Sequence, residues 1–113
     1  MTKLLVSVRN VAEAQIALQH GADLIDVKEP HQGSLGRAAP EVLQEIADVV
    51  AGQLPLSCAL GELGEHIDDA TYEAIGRYSF AKIGLAGASQ IADWQRQWTD
   101  AVRQFPQSVR PVG

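Results

Sequence analysis

Apolar residues recur along this chain in two rhythms. One alternates with a period of two and marks strands; the other recurs at three and four residues and marks helices. The alternating or continuous apolar runs fall at residues 3–8, 24–28, 56–60 and 79–85, with a further start at 109–113. Helical spacing lies between them. Val11, Ala14, Ala17 and Leu18 form a first stripe, with Asn10 and Glu13 in capping-box positions ahead of it and Gly21 behind. Val42, Leu43, Ile46, Val49 and Val50 form a second, opened by Pro40 and ended by Gly52. A short third helix over 69–77 is predicted to turn Ala70, Ala74 and Ile75 inward. A fourth is predicted to start at Ser89, with Ile91, Trp94, Trp98, Ala101, Val102 and Phe105 as its stripe and Pro106 as its stop.

The predicted order is therefore four βα units and the beginning of a fifth strand. Strict alternation of this kind implies a parallel sheet with crossover helices. Two α/β architectures suit it: a doubly wound sheet of flavodoxin type, and the N-terminal half of a (β/α)8 TIM barrel. A doubly wound sheet covers both faces and wants strands apolar on both. The second and fourth strands do not comply. Leu24, Asp26 and Lys28 share one face of the second strand, opposite Ile25 and Val27; Phe80, Lys82 and Gly84 share one face of the fourth, opposite Ala81, Ile83 and Leu85. In a barrel the polar face would point into the lumen and the branched face would meet the helices. The half barrel is the expectation, as one incomplete domain over residues 1–113. A phosphoacceptor receiver domain would need acids at the end of the first strand, where Val8-Arg9-Asn10 has none.

Composition narrows the function classes. The 113 residues are 46% apolar and 20% charged, an ordinary globular balance. The net charge is −5 and there is no basic cluster, which argues against nucleic acid as a partner. No apolar run approaches the roughly 20 residues of a membrane span, and the opening Met1-Thr-Lys-Leu-Leu-Val-Ser-Val8 is too short for a signal peptide. A cytoplasmic location is the expectation. The single cysteine, Cys58, lies in an apolar strand and is expected to be a small buried hydrophobe.

The stretch Asp26-Val-Lys-Glu-Pro-His-Gln-Gly-Ser-Leu-Gly36 holds the candidate chemistry. An acid and a lysine sit two residues apart at the C-terminal end of a strand, the end at which parallel α/β proteins bind ligands. The plainer interpretation is a strand-end ion pair between them. A lysine there can instead attack a carbonyl and form an imine, once it has given up its proton, which a nearby cation favours. Lys82 would be that cation if both strands face one lumen, and Asp26 could hold the amine and shuttle protons. Gly33, Ser34, Gly36 and Arg37 in one βα loop, and Gly84 and Gly87 in another, could hold a phosphate, although glycines in such loops are more often turn formers. His31 and His66 lack a third ligand, so no metal is expected.

These residues carry a family resemblance. The Asp26-Val-Lys-Glu-Pro block with Gly33-Ser-Leu-Gly36, the opening Leu4-Leu-Val-Ser7, and Ala81-Lys-Ile-Gly-Leu85 resemble the (5-formylfuran-3-yl)methyl phosphate synthases of methanofuran biosynthesis. The resemblance runs along the whole chain and covers only the N-terminal half of a family member. It implies a (β/α)8 barrel that needs no cofactor. The implied reaction joins two glyceraldehyde 3-phosphate molecules, with loss of water and one phosphate, to form a furan. It also implies that Lys28 is the Schiff-base lysine, Lys82 the proton acceptor and Asp26 the acid beside the imine. Ser7, Gly33, Ser34, Gly36, Gly84 and Gly87 are the positions expected at the phosphorylated substrate. The family's remaining active-site groups come from later strands, so little or no furan synthesis is expected of these 113 residues alone. Open sheet edges lead to the further expectation that the chain self-associates. Two other functions fit the same residues: another lysine-dependent aldolase, or a non-catalytic half barrel that binds phosphosugars.

Overall fold

A computed structural model describes residues 3–113; Met1, Thr2 and the side chain of Ser89 lie outside the described set. Five strands, β1 (Leu5–Val8), β2 (Leu24–Val27), β3 (Leu56–Glu62), β4 (Phe80–Gly84) and β5 (Arg110–Val112), alternate with four helices, α1 (Val11–Gln19), α2 (Pro40–Val50), α3 (Asp69–Ala74) and α4 (Trp94–Arg103). The strands form one parallel sheet in the order β1-β2-β3-β4-β5. Each strand thus lies beside its sequence neighbour, and the reversal that marks a doubly wound sheet does not occur.

The register explains which side the helices take. Val8, Val27, Cys58 and Ala81 are aligned across neighbouring strands, and with Ile25, Leu60 and Ile83 they make one buried face. That face packs against Ala14 and Ala17 of α1, Leu43, Ile46, Ala47 and Val50 of α2, and Ala74 and Ile75 behind them, with Trp94, Trp98 and Ala101 of α4 against its margin. The other face holds Leu5, Ser7, Asp26, Ser57, Ala59, Phe80 and Lys82, none of which belongs to this core. Branched and sulfur side chains bury against helices because that removes apolar area from water, at roughly 25 cal/mol per Å².

Local signals account for most boundaries. Asn10 Oδ1 accepts from the Glu13 N–H at 2.9 Å, as a capping residue should. The reciprocal bond reaches one residue further back than a capping box requires: Glu13 Oε1 accepts from the Arg9 N–H at 2.7 Å. That hydrogen bond, with the Arg9 guanidinium beside it, holds the Glu13 carboxyl below its ordinary value. Pro40 opens α2 as expected, but Ala51, with φ of 51°, takes the left-handed cap one residue before Gly52.

Three expectations are corrected. Residues 61 and 62, beyond the strand predicted over 56–60, continue β3. In the third helix Ala70 is exposed, and Thr71 and Tyr72 are buried with Ala74, so its inner face is turned from the one predicted. Tyr78, not foreseen as core, is buried behind it and donates its hydroxyl to the Leu43 carbonyl at 2.8 Å. The fourth helix starts at Trp94, not after Ser89. Ala88–Gln90 forms a separate 3-10 turn, and Asp93, at φ of 62°, breaks the path between them. None of the α4 residues is fully buried, so its stripe covers the core only partly.

Candidate active site

The face without helices gathers the polar strand residues. Ser7, Asp26, Ser57 and Phe80 are aligned across β1 to β4, and Ala59 and Lys82 make the next row toward the C-terminal ends. Asp26 is the centre of this group. Its side chain is 2% exposed, and Oδ1 accepts from Ser57 Oγ at 2.7 Å and from Lys82 Nζ at 2.9 Å. A carboxylate so buried is stabilised there by charge-assisted bonds. Lys82, at 31% exposure, keeps one side toward solvent.

The plainer strand-end pairing of Asp26 with Lys28 does not form; Asp26 pairs across β3 with Lys82 of β4. Side chains at 26 and 28 are separated by two residues along β2, whereas Lys82 reaches over the small side chain of Ala59 on β3 toward Asp26. Lys28 itself is half-buried, donates its backbone N–H to the Val8 carbonyl at 3.1 Å, and forms no ion pair among the described residues. Ser57, a residue that sequence reasoning passed over inside an apolar run, links the pair to β3.

A second omission is Glu62. Pairing of β3 with β4 shifts between Ala59 and Glu62: Ala59 is opposite Lys82, but Glu62 is opposite Gly84, so β3 holds one extra residue. Gly61, with φ of +89°, supplies the conformation such a bulge needs. Without the extra residue Glu62 would point to the helix side. With it, Glu62 lies on the side of Lys82 and Gly84. A Cβ on Gly84 would run into the Glu62 carboxylate, so this glycine is required for space. The periodic pattern of β3 did not reveal this, since a bulge changes which face a residue takes.

The glycine loops are braced internally. The Gly33 N–H donates to the Pro30 carbonyl at 3.1 Å, and the Gly36 N–H to the Gly33 carbonyl at 3.0 Å. Gly36 packs against the Glu29 carbonyl so closely that a side chain has no room. Ser34 and Gly87 are exposed, as is Ser7. Ser7 is aligned with Asp26 on the neighbouring strand, whereas Ser34 and Gly87 lie in the βα loops. A cleft of about 590 Å³ lies to one side, among Arg9, Arg37, His66 and the starts of α2 and α3. Among the described residues no cluster of His, Cys, Asp and Glu could hold a metal, and no helix is long and apolar enough to cross a membrane.

Buried within the same sheet, Cys58 faces the helices. Burial pushes its thiol up to about 12; Asp26 adds to that effect and Lys82 opposes it. It remains a thiol at neutral pH and packs as a small hydrophobe.

A parallel sheet wound in sequence order, helices on one face and a lysine–carboxylate network on the other, places this chain among α/β proteins that carry polar groups on an uncovered sheet face. Its family is identified by comparison: the family described as 4-HFC-P synthase matches residues 4–111, and the chain belongs to it. The (5-formylfuran-3-yl)methyl phosphate synthase of Methanosarcina acetivorans is 40% identical over 117 residues, an alignment that takes in 97% of this chain and 50% of that protein. The synthase of the same name from Methanosarcina mazei is 41% identical over 91% of this chain and 47% of its own length. That of Methanococcus maripaludis is 34% identical over 97% and 47%. The chain spans about half the length of these relatives.

Proposed function

We propose that this chain is the N-terminal half of a (β/α)8 barrel and carries the imine-forming part of a (5-formylfuran-3-yl)methyl phosphate synthase site. The observation that carries this reading is the division between the two lysines. Lys82 is held by Asp26 at 2.9 Å, while Lys28, at the strand end on the same face, has no ion-pair partner among the described residues. An amine outside an ion pair is the better nucleophile toward an aldehyde. In this reading Lys28 attacks the carbonyl of glyceraldehyde 3-phosphate, and the imine makes the neighbouring C–H acidic. Lys82 first passes a proton to Asp26 across their 2.9 Å contact, and the amine so freed takes the proton from carbon. Condensation with a second triose phosphate, cyclisation, and loss of water and phosphate complete the reaction. The backbone and hydroxyl groups at Ser7, Gly33, Ser34 and Gly87 are the exposed members of the expected phosphate-holding set; Gly36 and Gly84, both buried, act by shaping the loops that present them.

The test is trapping. Incubation with glyceraldehyde 3-phosphate and borohydride, followed by peptide mass spectrometry, is expected to label Lys28. Label at Lys3 or Lys82 with Lys28 unmodified overturns the assignment. In a protein of the relatives' length, Lys82→Ala is expected to lower turnover and leave trapping at Lys28 largely intact. The uncovered face and the edges of β1 and β5 also favour pairing of copies, since open edges and exposed apolar side chains such as Leu4 and Leu5 invite it. Light scattering on the purified chain is expected to report an assembly larger than a monomer; a well-folded monomer overturns that part alone.

A further inference from the structure

The two carboxylates on the uncovered face have different surroundings. Asp26 is committed to Ser57 and Lys82 through Oδ1. Glu62 Oε2 is buried and has no hydrogen-bond partner among the described residues. An unmet buried acceptor is destabilising, so its persistence needs a cause. Here the backbone builds the arrangement. The Glu62 N–H donates to Glu65 Oε2 at 3.0 Å, the Leu63 N–H to the Gly84 carbonyl at 2.8 Å, and the Gly61 N–H to the Leu35 carbonyl at 2.8 Å. The bulge turns Glu62 toward the lysine face, and Gly84 leaves room for its carboxylate.

The register also sets its neighbours. Ala59 lies opposite Lys82 on β4, and continuing the pairing of Asp26 with Ser57 by two residues brings Lys28 opposite Ala59 on the other side. Glu62 follows Ala59 along β3. With strands about 4.8 Å apart and about 3.3 Å per residue, its backbone is within roughly 10 Å of both lysine backbones. Side chains of this length can meet over a small molecule held between them.

Imine formation needs an acid at that place. Attack of the Lys28 amine on an aldehyde gives, after proton transfer from nitrogen to oxygen, a neutral carbinolamine. Its C–O bond then breaks while the nitrogen lone pair forms C=N, and the departing hydroxyl takes a proton and leaves as water. We propose that Glu62 is the general acid of this step: its carboxyl proton goes to the hydroxyl, and its carboxylate remains beside the protonated imine. In the reverse hydrolysis the attacking water returns that proton. The proposal rests on Lys28 as the imine lysine, and Asp26 is excluded from the role by its bonds to Lys82 and Ser57.

The experiment follows the initial rate of Lys28 labelling by glyceraldehyde 3-phosphate at saturating cyanoborohydride, on wild type, Glu62→Ala and Glu62→Gln, with circular dichroism to show that each is folded. Labelling is expected to slow about a hundredfold in both variants. Added formate is expected to restore the rate in Glu62→Ala, where a cavity admits it, and not in Glu62→Gln. Wild-type labelling rates in Glu62→Ala overturn the acid role and leave Lys28 in place. Slow labelling that formate does not restore also overturns it, since the loss is then structural. Absence of label at Lys28 in wild type overturns both this role and the imine assignment beneath it.

Discussion

The two faces of the sheet are built from the same strands and do opposite work. On the helix side, Ile25, Val27, Cys58, Leu60, Ala81 and Ile83 are excluded from water and locked against α1, α2 and the residues behind them. On the other side, Leu5 is 50% exposed, Lys82 keeps solvent access, and Asp26 is buried only because its neighbours close over it. Close packing makes one face intolerant of small changes. The other holds groups whose value depends on what approaches them. Stability and chemistry are thus separated by a single residue along β2, between Ile25 and Asp26.

Substitutions on the two faces should separate these roles. The largest effect is expected at Ile25→Ala, which opens a cavity under the helices and should cost about 2–5 kcal/mol in urea unfolding. A cost no greater than that of an exposed leucine would erase the distinction between the faces. Alkaline pH should act next, and on the same face. Cys58 ionises at an ordinary 9.0 when unfolded and at about 12 when folded, so its contribution is whole below pH 9 and is lost as pH rises from there toward 12. The urea midpoint is therefore expected to fall above pH 9. Cys58→Ala should remove the first part of the fall, and the part above pH 10 should persist because burial also raises the Tyr78 hydroxyl.

On the uncovered face the costs are expected to be smaller. Asp26→Asn keeps an acceptor for Ser57 but leaves the Lys82 ammonium unpaired. Lys82 can turn to water, so about 1 kcal/mol is expected, with a larger loss in any reaction that uses the pair. A cost of several kcal/mol by the same urea measurement would make Asp26 part of the core. Leu5→Ala, an apolar truncation like that at Ile25, should change stability by no more than about 0.5 kcal/mol. If it instead dissolves an assembly seen by light scattering, the uncovered face is an interface.

The sequence alone determined the order of elements, the parallel strands and the split of Asp26, Lys28 and Lys82 from their branched neighbours. It also located the Asn10 cap and Pro40 as the start of α2. These follow from periodicity and from backbone preferences within a few residues, which are local properties. The motif around Asp26 and Lys28 was legible for the same reason. The tertiary structure decided which lysine Asp26 takes, because Lys82 is 56 positions away and only strand pairing brings it there. It decided that Ser57 joins them, since a serine in an apolar run has no partner until a neighbouring strand supplies one. It also decided the place of Glu62. The apolar run of β3 ended before that residue; one extra residue at Gly61, accommodated against a bare Gly84, turned it to the face that carries the lysines.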